Sequence, residues 1–500
     1  MLRHYLIAGI SLASYVFAHS AHSDLDLTTR FFPVCAQIED ETSSATSVFY
    51  PGDILGRYAA DISHWASSST QFAECSVRPG TAEDVAKILQ IVGSTRKPFA
   101  VKGGGHASNP GFSSTNGIQI SMKPFSEVTY DAESQTVVIG AGLIWDDVYA
   151  ALAPYGVSVV GGRVTGVGVA GFILGGGKPF WISSWYSWLT NQHGLTIDTV
   201  LAFELVKPNG DIVNVTEASD PNLFFGLKGG MNNFGIVTRF TLKTFPQGQV
   251  WAGSITYTFD RIPSVAAATA KFSSTVTDPK AVIITTYNFL LGQPGILQLI
   301  FYDGPEPPAG IFDDFLAIPH LTNDVSTRDF TSFVKGLPAN ATYGQRGIFQ
   351  SVSLTEYTTT LLDAVYNETV FWGSRLSLLS GSFISYGVEP FLPTLFSHGS
   401  DSAYPPSREK GLSPFNIYFA WTSSLSDDEF HEAARQSAAQ IKAVAMAEGQ
   451  DISDVAIYPN YAIYDTPLEG LYGSNVPTLQ ALKASLDPTN VMGLAGGFRL

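Results

Sequence analysis

Phe99-Ala100-Val101-Lys102-Gly103-Gly104-Gly105-His106-Ala107-Ser108-Asn109-Pro110-Gly111 decides how this chain is read. A short apolar run enters three consecutive glycines and then a histidine. Three missing Cβ atoms let backbone N–H groups converge on an anion such as a pyrophosphate. The imidazole that follows is held beside whatever the loop binds, where it can ligate a metal, carry a proton or act as a nucleophile. Alone, the motif is equally a glycine turn next to a surface histidine, and the rest of the chain has to decide.

The 500 residues are 45% hydrophobic and 14% charged, enough for a large core and about two domains or more. The net charge of -16 and the absence of a basic run argue against a nucleic-acid partner. Met1 to Ala18 has a positive start at Arg3, an apolar run from Tyr5 to Phe17 and a small-residue end, the pattern of a secretory signal. A short membrane anchor is the alternative, but the run is short for a span and no other segment resembles one. Cys35 and Cys75 are the only cysteines, and in a secreted chain two imply one bridge. Closing a loop of about 40 residues would contribute on the order of 3–4 kcal/mol. Three sequons, at Asn214, Asn340 and Asn367, suit the same compartment.

Residues 24–70 read as polar and loop-rich. From Thr81, which caps with Asp84, the spacing of Val85, Ile88, Leu89 and Val92 predicts a helix. Strands are expected at 98–101, 118–121, 136–139 and 157–160, and a helix over 144–153. Gly140-Ala141-Gly142 starts a dinucleotide fingerprint, but Trp145 stands at its third glycine and a nicotinamide cofactor is set aside. Gly161 to Gly177 holds eight glycines in seventeen residues, interleaved with Val, Ile, Phe and Leu. A flexible linker would be polar, so this stretch suits backbone packed on a flat ligand, or else tightly packed turns. Val200–Val206 and Ile212–Val215 flank Asn209-Gly210 as a hairpin, Ser219 is placed to cap a helix from Pro221, and 235–245 reads as a strand. From Pro246 to Asp454 strands such as 282–289 and 296–302 alternate with helices such as 427–446, an α+β pattern with a sheet covered on one side. A helix is expected over 476–486 in the tail.

Five motifs recur in a familiar order. They are Val101 to His106; Val167-Gly168-Val169-Ala170-Gly171 with Gly175-Gly176-Gly177; His193-Gly194-Leu195-Thr196-Ile197-Asp198; Leu227-Lys228-Gly229-Gly230-Met231-Asn232-Asn233-Phe234-Gly235-Ile236-Val237-Thr238; and Tyr458-Pro459-Asn460-Tyr461. Together they resemble the vanillyl-alcohol oxidase superfamily of flavoproteins, and within it the secreted berberine-bridge-enzyme-like oxidases of fungi. The resemblance implies an α+β fold: a PCMH-type FAD-binding domain of two subdomains, and an α+β substrate domain with an antiparallel sheet. The implied division is a signal at 1–18, a lead-in at 19–70, the FAD domain at 71–246, the substrate domain at 247–454, and a segment at 455–500 returning to the FAD domain.

By the same resemblance His106 carries FAD covalently, and Val101, Lys102, Gly103, Gly104, Gly105 and Ala107 form the pyrophosphate loop. Gly162, Val167, Gly168 and Gly171, in the second glycine region, are also implied to bind the cofactor. Ile236 and Val237 lie near the adenine half, and Asn460 places an amide near the flavin ring. Many relatives add a second link from a cysteine where this chain has Val164, so a single attachment through His106 is expected. Relatives pass almost directly from the glycine triplet to an aromatic-Ser-Trp sequence. Here Lys178 to Trp185 intervene, as an insertion that brings Phe180, Trp181 and Trp185 near the loop or as a gene-model error.

The expected chemistry removes a hydride from a small-molecule alcohol or amine, of sugar or secondary-metabolite type, and passes electrons to molecular oxygen to give hydrogen peroxide. Valine at the place of Val167 accompanies oxidase behaviour in relatives. Transfer to a quinone, or ligand binding without turnover, are the alternatives. Tyr458 and Tyr461 are the catalytic candidates, and a tyrosine with its ordinary pKa near 10 needs a cationic or charged partner to act as a base. Asp465 and Glu469 follow them closely or are simply solvated. A secreted monomer without metal, membrane or nucleic-acid partner completes the expectation.

Overall fold

The structure, a computed structural model, describes residues 31–175, 186–337 and 342–500. Met1 to Ala18, Gly176, Gly177, Lys178 to Trp185 and the Asn340 sequon therefore lie outside the described residues.

Three sheets organise the chain. The first joins Cys75–Arg78, Ile118–Ser121 and Phe99–Lys102 in parallel, with Ser47–Phe49 antiparallel at its edge. Helix Ala82–Thr95 feeds it; the Thr81 side chain accepts from Asp84 N, and Val85, Ile88, Leu89 and Val92 are buried. The second sheet is antiparallel, in the order Val128–Asp131, Thr136–Gly140, Ile236–Lys243, Val200–Val206, Ile212–Val215. Its hairpin pairs Val206 with Ile212 across a five-residue connection that turns at Gly210, whose φ of 93° suits glycine. The third is an eight-stranded antiparallel sheet built from residues 250–421.

That large sheet is buried on both faces. Helices Ile262–Thr275, Thr359–Leu376 and Asp427–Ala447 cover one face over Ile348, Tyr386, Ile417 and Phe419. The other face turns Phe349, Phe383, Tyr418 and Ala420 into the core shared with the first two sheets. The strand alternation of side chains thus gives one helix-covered face and one facing the rest of the molecule. The tail returns to the first sheet: Ala495 bridges Phe99 in parallel, and Asn233 Nδ2 donates to Phe498 O at 2.9 Å.

Three expectations need correction. The lead-in is not mainly loop: Pro33–Glu41 and Arg57–Ile62 are helices, the first started by proline at its first turn. Asp220, not Ser219, caps helix Pro221–Leu227 by accepting from Leu223 N at 3.0 Å; proline at the first helical position makes its predecessor the cap. The strand expected at 157–160 shortens to Val157–Ser158, paired with Phe245–Pro246. Cys35 and Cys75 are bonded, tying helix Pro33–Glu41 to the first sheet.

Candidate functional site

Strand Phe99–Lys102 delivers the glycine loop to the junction of the sheets. Lys102 itself turns away from it: its ammonium donates to Ala60 O, Asp61 O and Ser63 O at 2.9, 3.0 and 2.6 Å, at the end of helix Arg57–Ile62. Burial draws its pKa down to about 8. The Lys102 side chain thus anchors from behind the loop whose backbone amides are expected to bind the pyrophosphate. Gly105, at φ +72°, lies directly over it; a Cβ there would meet Lys102 Cε at 2.4 Å.

Gly104 and Gly168 explain why two glycine-rich stretches occur. A Cβ on Gly104 would stand 2.5 Å from Gly168 Cα, and one on Gly168 would stand 2.5 Å from Gly104 N. The two loops touch backbone to backbone, which no side chain permits. Among the described residues the N–H groups of Gly104, Gly105 and Ala107 donate to no protein acceptor. Free backbone donors on a glycine loop are what an anionic pyrophosphate needs.

A cleft opens beside this contact. Its wall takes Val101, Gly103, Gly104, Gly105, His106 and Ala107 from the first loop, and Gly168, Ala170, Gly171 and Leu174 from the second. Met231, Asn232, Gly235, Ile236 and Val237 come from the turn into strand Ile236–Lys243. Phe112, Ser113, Met122, Asn460 and Gly497 complete it. The second stretch forms helix Val169–Leu174, which the sequence reading missed, and its Gly171 has open space where a Cβ would be. Two expected wall residues lie elsewhere. Gly162 is packed under the Trp145 indole, 2.6 Å from its Cδ1 for a built Cβ, and buried Val167 gives its carbonyl to Trp145 N at 2.9 Å.

His106 is 7% exposed, and its imidazole lies nearly parallel to the Trp65 indole at 5.2 Å between centroids. Asn460 reaches the cleft from the tail and packs against Gly175, where a Cβ would stand 2.1 Å from its Oδ1. Its amide also donates to Tyr458 OH at 3.5 Å.

Behind Asn460 lies a buried aromatic and ionic cluster. Tyr458 stacks on Tyr186 at 5.7 Å, meets Tyr404 at 5.2 Å and takes Tyr461 edge-on at 5.5 Å. Tyr461 OH donates to Glu389 Oε1 at 2.9 Å, and Glu389 Oε2 pairs with Arg163, both acid and base fully buried. Arg163 also lies over the Trp188 and Phe391 rings, each 5.3 Å from its guanidinium carbon. Burial pushes both tyrosine pKa values far above the ordinary range, Glu389 adds to this, and Arg163 opposes it. Burial likewise raises the Glu389 carboxyl against the pull of Arg163. A charged partner is present, then, but it raises the tyrosines rather than lowering them. Arg163, Glu389 and Trp65 were not read as site residues from the sequence. A lone arginine inside an apolar glycine-rich stretch was the one available signal.

Among the described residues no cluster of His, Cys, Asp and Glu is placed to hold a metal, and no helix is long and apolar enough to cross a membrane.

An apolar cleft floored by glycine backbone, with unclaimed N–H groups at one loop, defines a site for a flat dinucleotide cofactor. The profile of a FAD binding domain matches residues 73–216. The chain is 31% identical over 459 residues to an uncharacterized FAD-linked oxidoreductase of Arthroderma benhamiae, covering 87% of this chain and 89% of that one. It is 30% identical over 489 residues to the FAD-dependent monooxygenase drtC of Aspergillus calidoustus, covering 93% and 90%. Its fold is similar to the berberine bridge enzyme of Eschscholzia californica, with TM-score 0.73, 17% identity, and 92% and 97% covered. The chain belongs to the FAD-linked oxidoreductases, and it shares the fold of the berberine bridge enzyme.

Proposed function

We propose that this protein is a secreted, monomeric FAD-dependent oxidase that takes a hydride from an alcohol or amine and passes electrons to molecular oxygen, giving hydrogen peroxide. Its substrate is a sugar or secondary-metabolite small molecule, and FAD is attached through His106 alone. The observation that carries this is the single cleft in which His106, the unclaimed loop amides and Asn460 converge. Val164, fully buried, leaves no thiol for a second attachment. The Cys35–Cys75 bridge supports an oxidising compartment, and Asn214 and Asn367 are exposed sequons.

Residues that fit FAD are Gly104, Gly105 and Ala107 by their N–H groups, Gly168 and Gly171 by their missing side chains, and Ile236 and Val237 by apolar contact. When bound, FAD accepts the hydride; the protein supplies position and proton handling. A free tyrosinate is unavailable in so dry a place, so Tyr461 serves as a relay. Its oxygen would take the proton of a substrate hydroxyl admitted past Asn460 into this closed cluster, as its own proton moved along the 2.9 Å bond to Glu389 Oε1. Burial, by raising the Glu389 pKa, makes that carboxylate a better acceptor. Arg163 keeps it ionised beforehand. Tyr458 holds the Asn460 amide from behind.

The test combines colour and product. Wild-type protein precipitated in acid should leave a yellow pellet, and His106→Ala a colourless one. Sugars, aromatic alcohols and amines are screened for peroxide release in air, then for turnover under argon with a quinone. Turnover only with the quinone would replace the oxidase by a dehydrogenase, and flavin binding with no turnover anywhere by a ligand-binding protein. The monooxygenase name of the Aspergillus relative favours a second reading, oxygen insertion. Labelled dioxygen separates the two: label in peroxide supports the oxidase, and label in the organic product supports insertion.

A further inference from the structure

The chain beside His106 is gripped by a turn that no motif announces. Trp65 N donates to Gly105 O at 3.0 Å, and Ser69 Oγ donates to Ala107 O. Gly105 and Ala107 are the two neighbours of His106, so residues 65–69 hold the peptide on both sides of the imidazole. The same turn is tied down beyond it: Gly344 N donates to Trp65 O at 2.9 Å, and Ser67 N donates to Gln345 O at 2.9 Å. Between these clamps the Trp65 indole, 4% exposed, lies at 14° to the imidazole plane. Tyr418 and Phe349 back the indole at 5.5 and 6.3 Å.

We infer that Trp65 is a positioning residue for the covalent attachment of FAD to His106, an inference that rests on that attachment. The second torsion of a histidine is broad, so the ring can pivot even where the backbone is fixed. Bond formation needs the nitrogen lone pair, which lies in the ring plane, to point at the flavin methyl carbon. A parallel indole removes the pivot and holds that direction, which raises the effective concentration of the reactive geometry. In the step itself the imidazole loses its N–H proton and a new N–C bond forms to the methyl carbon at flavin position 8. That carbon loses one hydrogen as a proton, and the electron pair of the broken C–H bond stays in the flavin, which is thereby reduced. Dioxygen then takes two electrons and two protons, leaving oxidised, attached flavin and hydrogen peroxide.

The experiment compares full-length wild type with Trp65→Phe, Trp65→Leu and Trp65→Ala. Total flavin is read from absorbance before acid, attached flavin from the acid pellet, and folding from thermal unfolding. The rate of attachment is followed after adding FAD to protein produced without it. Phe and Leu both fill space, but only Phe stacks. The expected result is attachment within about threefold of wild type in Trp65→Phe, and at least tenfold slower in Trp65→Leu, with total flavin kept in both. Equal rates in Trp65→Phe and Trp65→Leu would overturn the inference, as would an unimpaired Trp65→Ala. A colourless wild-type pellet would instead overturn the attachment to His106, and this inference with it.

Discussion

Tyr461 and Glu389 lie 72 residues apart in the chain, yet their side chains share a 2.9 Å hydrogen bond in a site with no exposed surface on either. A phenol and a carboxylate in so dry a place form a unit, because neither has water to exchange with. Tyr461→Phe and Glu389→Gln should each lower the rate of flavin reduction by about 10²–10⁴-fold, while FAD stays bound. The double variant should be little worse than either single one, since the two act together. Bleaching of the flavin under argon, with the substrate found in the peroxide screen, measures this; wild-type bleaching by Tyr461→Phe would rule the relay out.

Arg163 makes a second prediction, because it is the only cation paired with Glu389 among the described residues. The relay needs Glu389 as an anion. Burial has already raised its pKa, and removing Arg163 raises it further. Flavin reduction in wild type should therefore fall on acidification, and in Arg163→Met that fall should begin at higher pH. Stability should also drop, by about 3–5 kcal/mol, as expected when a buried charge loses its partner. Urea unfolding and the pH profile of bleaching give the two readouts, and an unmoved acid limb would separate Arg163 from the relay.

The paired loops predict two alanine variants that fail differently. In Gly104→Ala the new methyl would stand 2.5 Å from the Gly168 backbone, which cannot swing aside as a side chain can, so the loops must part and both folding and flavin binding should suffer. In Gly171→Ala the methyl has, among the described residues and outside its own helix, no atom within 4 Å, and it projects from a residue on the cleft wall. That variant should unfold within about 1 kcal/mol of wild type in the absence of cofactor, yet bind FAD at least tenfold more weakly. Unfolding curves and the flavin absorbance ratio distinguish them, and a fully yellow Gly171→Ala would place the cofactor elsewhere.

How much of this was legible depended on whether the signal was local. Helix Val476–Leu486 has the limits expected of it, and Thr81 caps as its spacing suggested, since caps and periodicity act within a few residues. The glycine loops were visible because backbone contact excludes every other residue, a demand that composition records. Arg163 and Glu389 are 226 positions apart, and nothing beside either announces the other. Trp65 was lost in a stretch read as loop, where its partners at Gly105 and Gly344 are distant in sequence. The direction of the Lys102 side chain was hidden for a related reason. The loop motif speaks only of backbone amides, whereas carbonyls ending a helix forty residues earlier decide where the ammonium goes.

That ammonium supplies a test of the loop's foundation. Burial lowers the Lys102 pKa from 10.5 to about 8. Below pH 8 both the folded and the unfolded chain hold this proton, and the folded state bears the full cost of burying the charge. Between about pH 8 and 10.5 the unfolded chain still holds the proton while the folded one releases it. Stability from this group therefore rises with pH across that window. Lys102→Met lacks the contribution, and other titrating groups cancel in the comparison. The stability of wild type relative to Lys102→Met should grow by on the order of 1–3 kcal/mol between pH 7.5 and 10. Urea unfolding at the two pH values measures it, and a difference that stays flat or shrinks would mean that the three carbonyls hold Lys102 charged throughout.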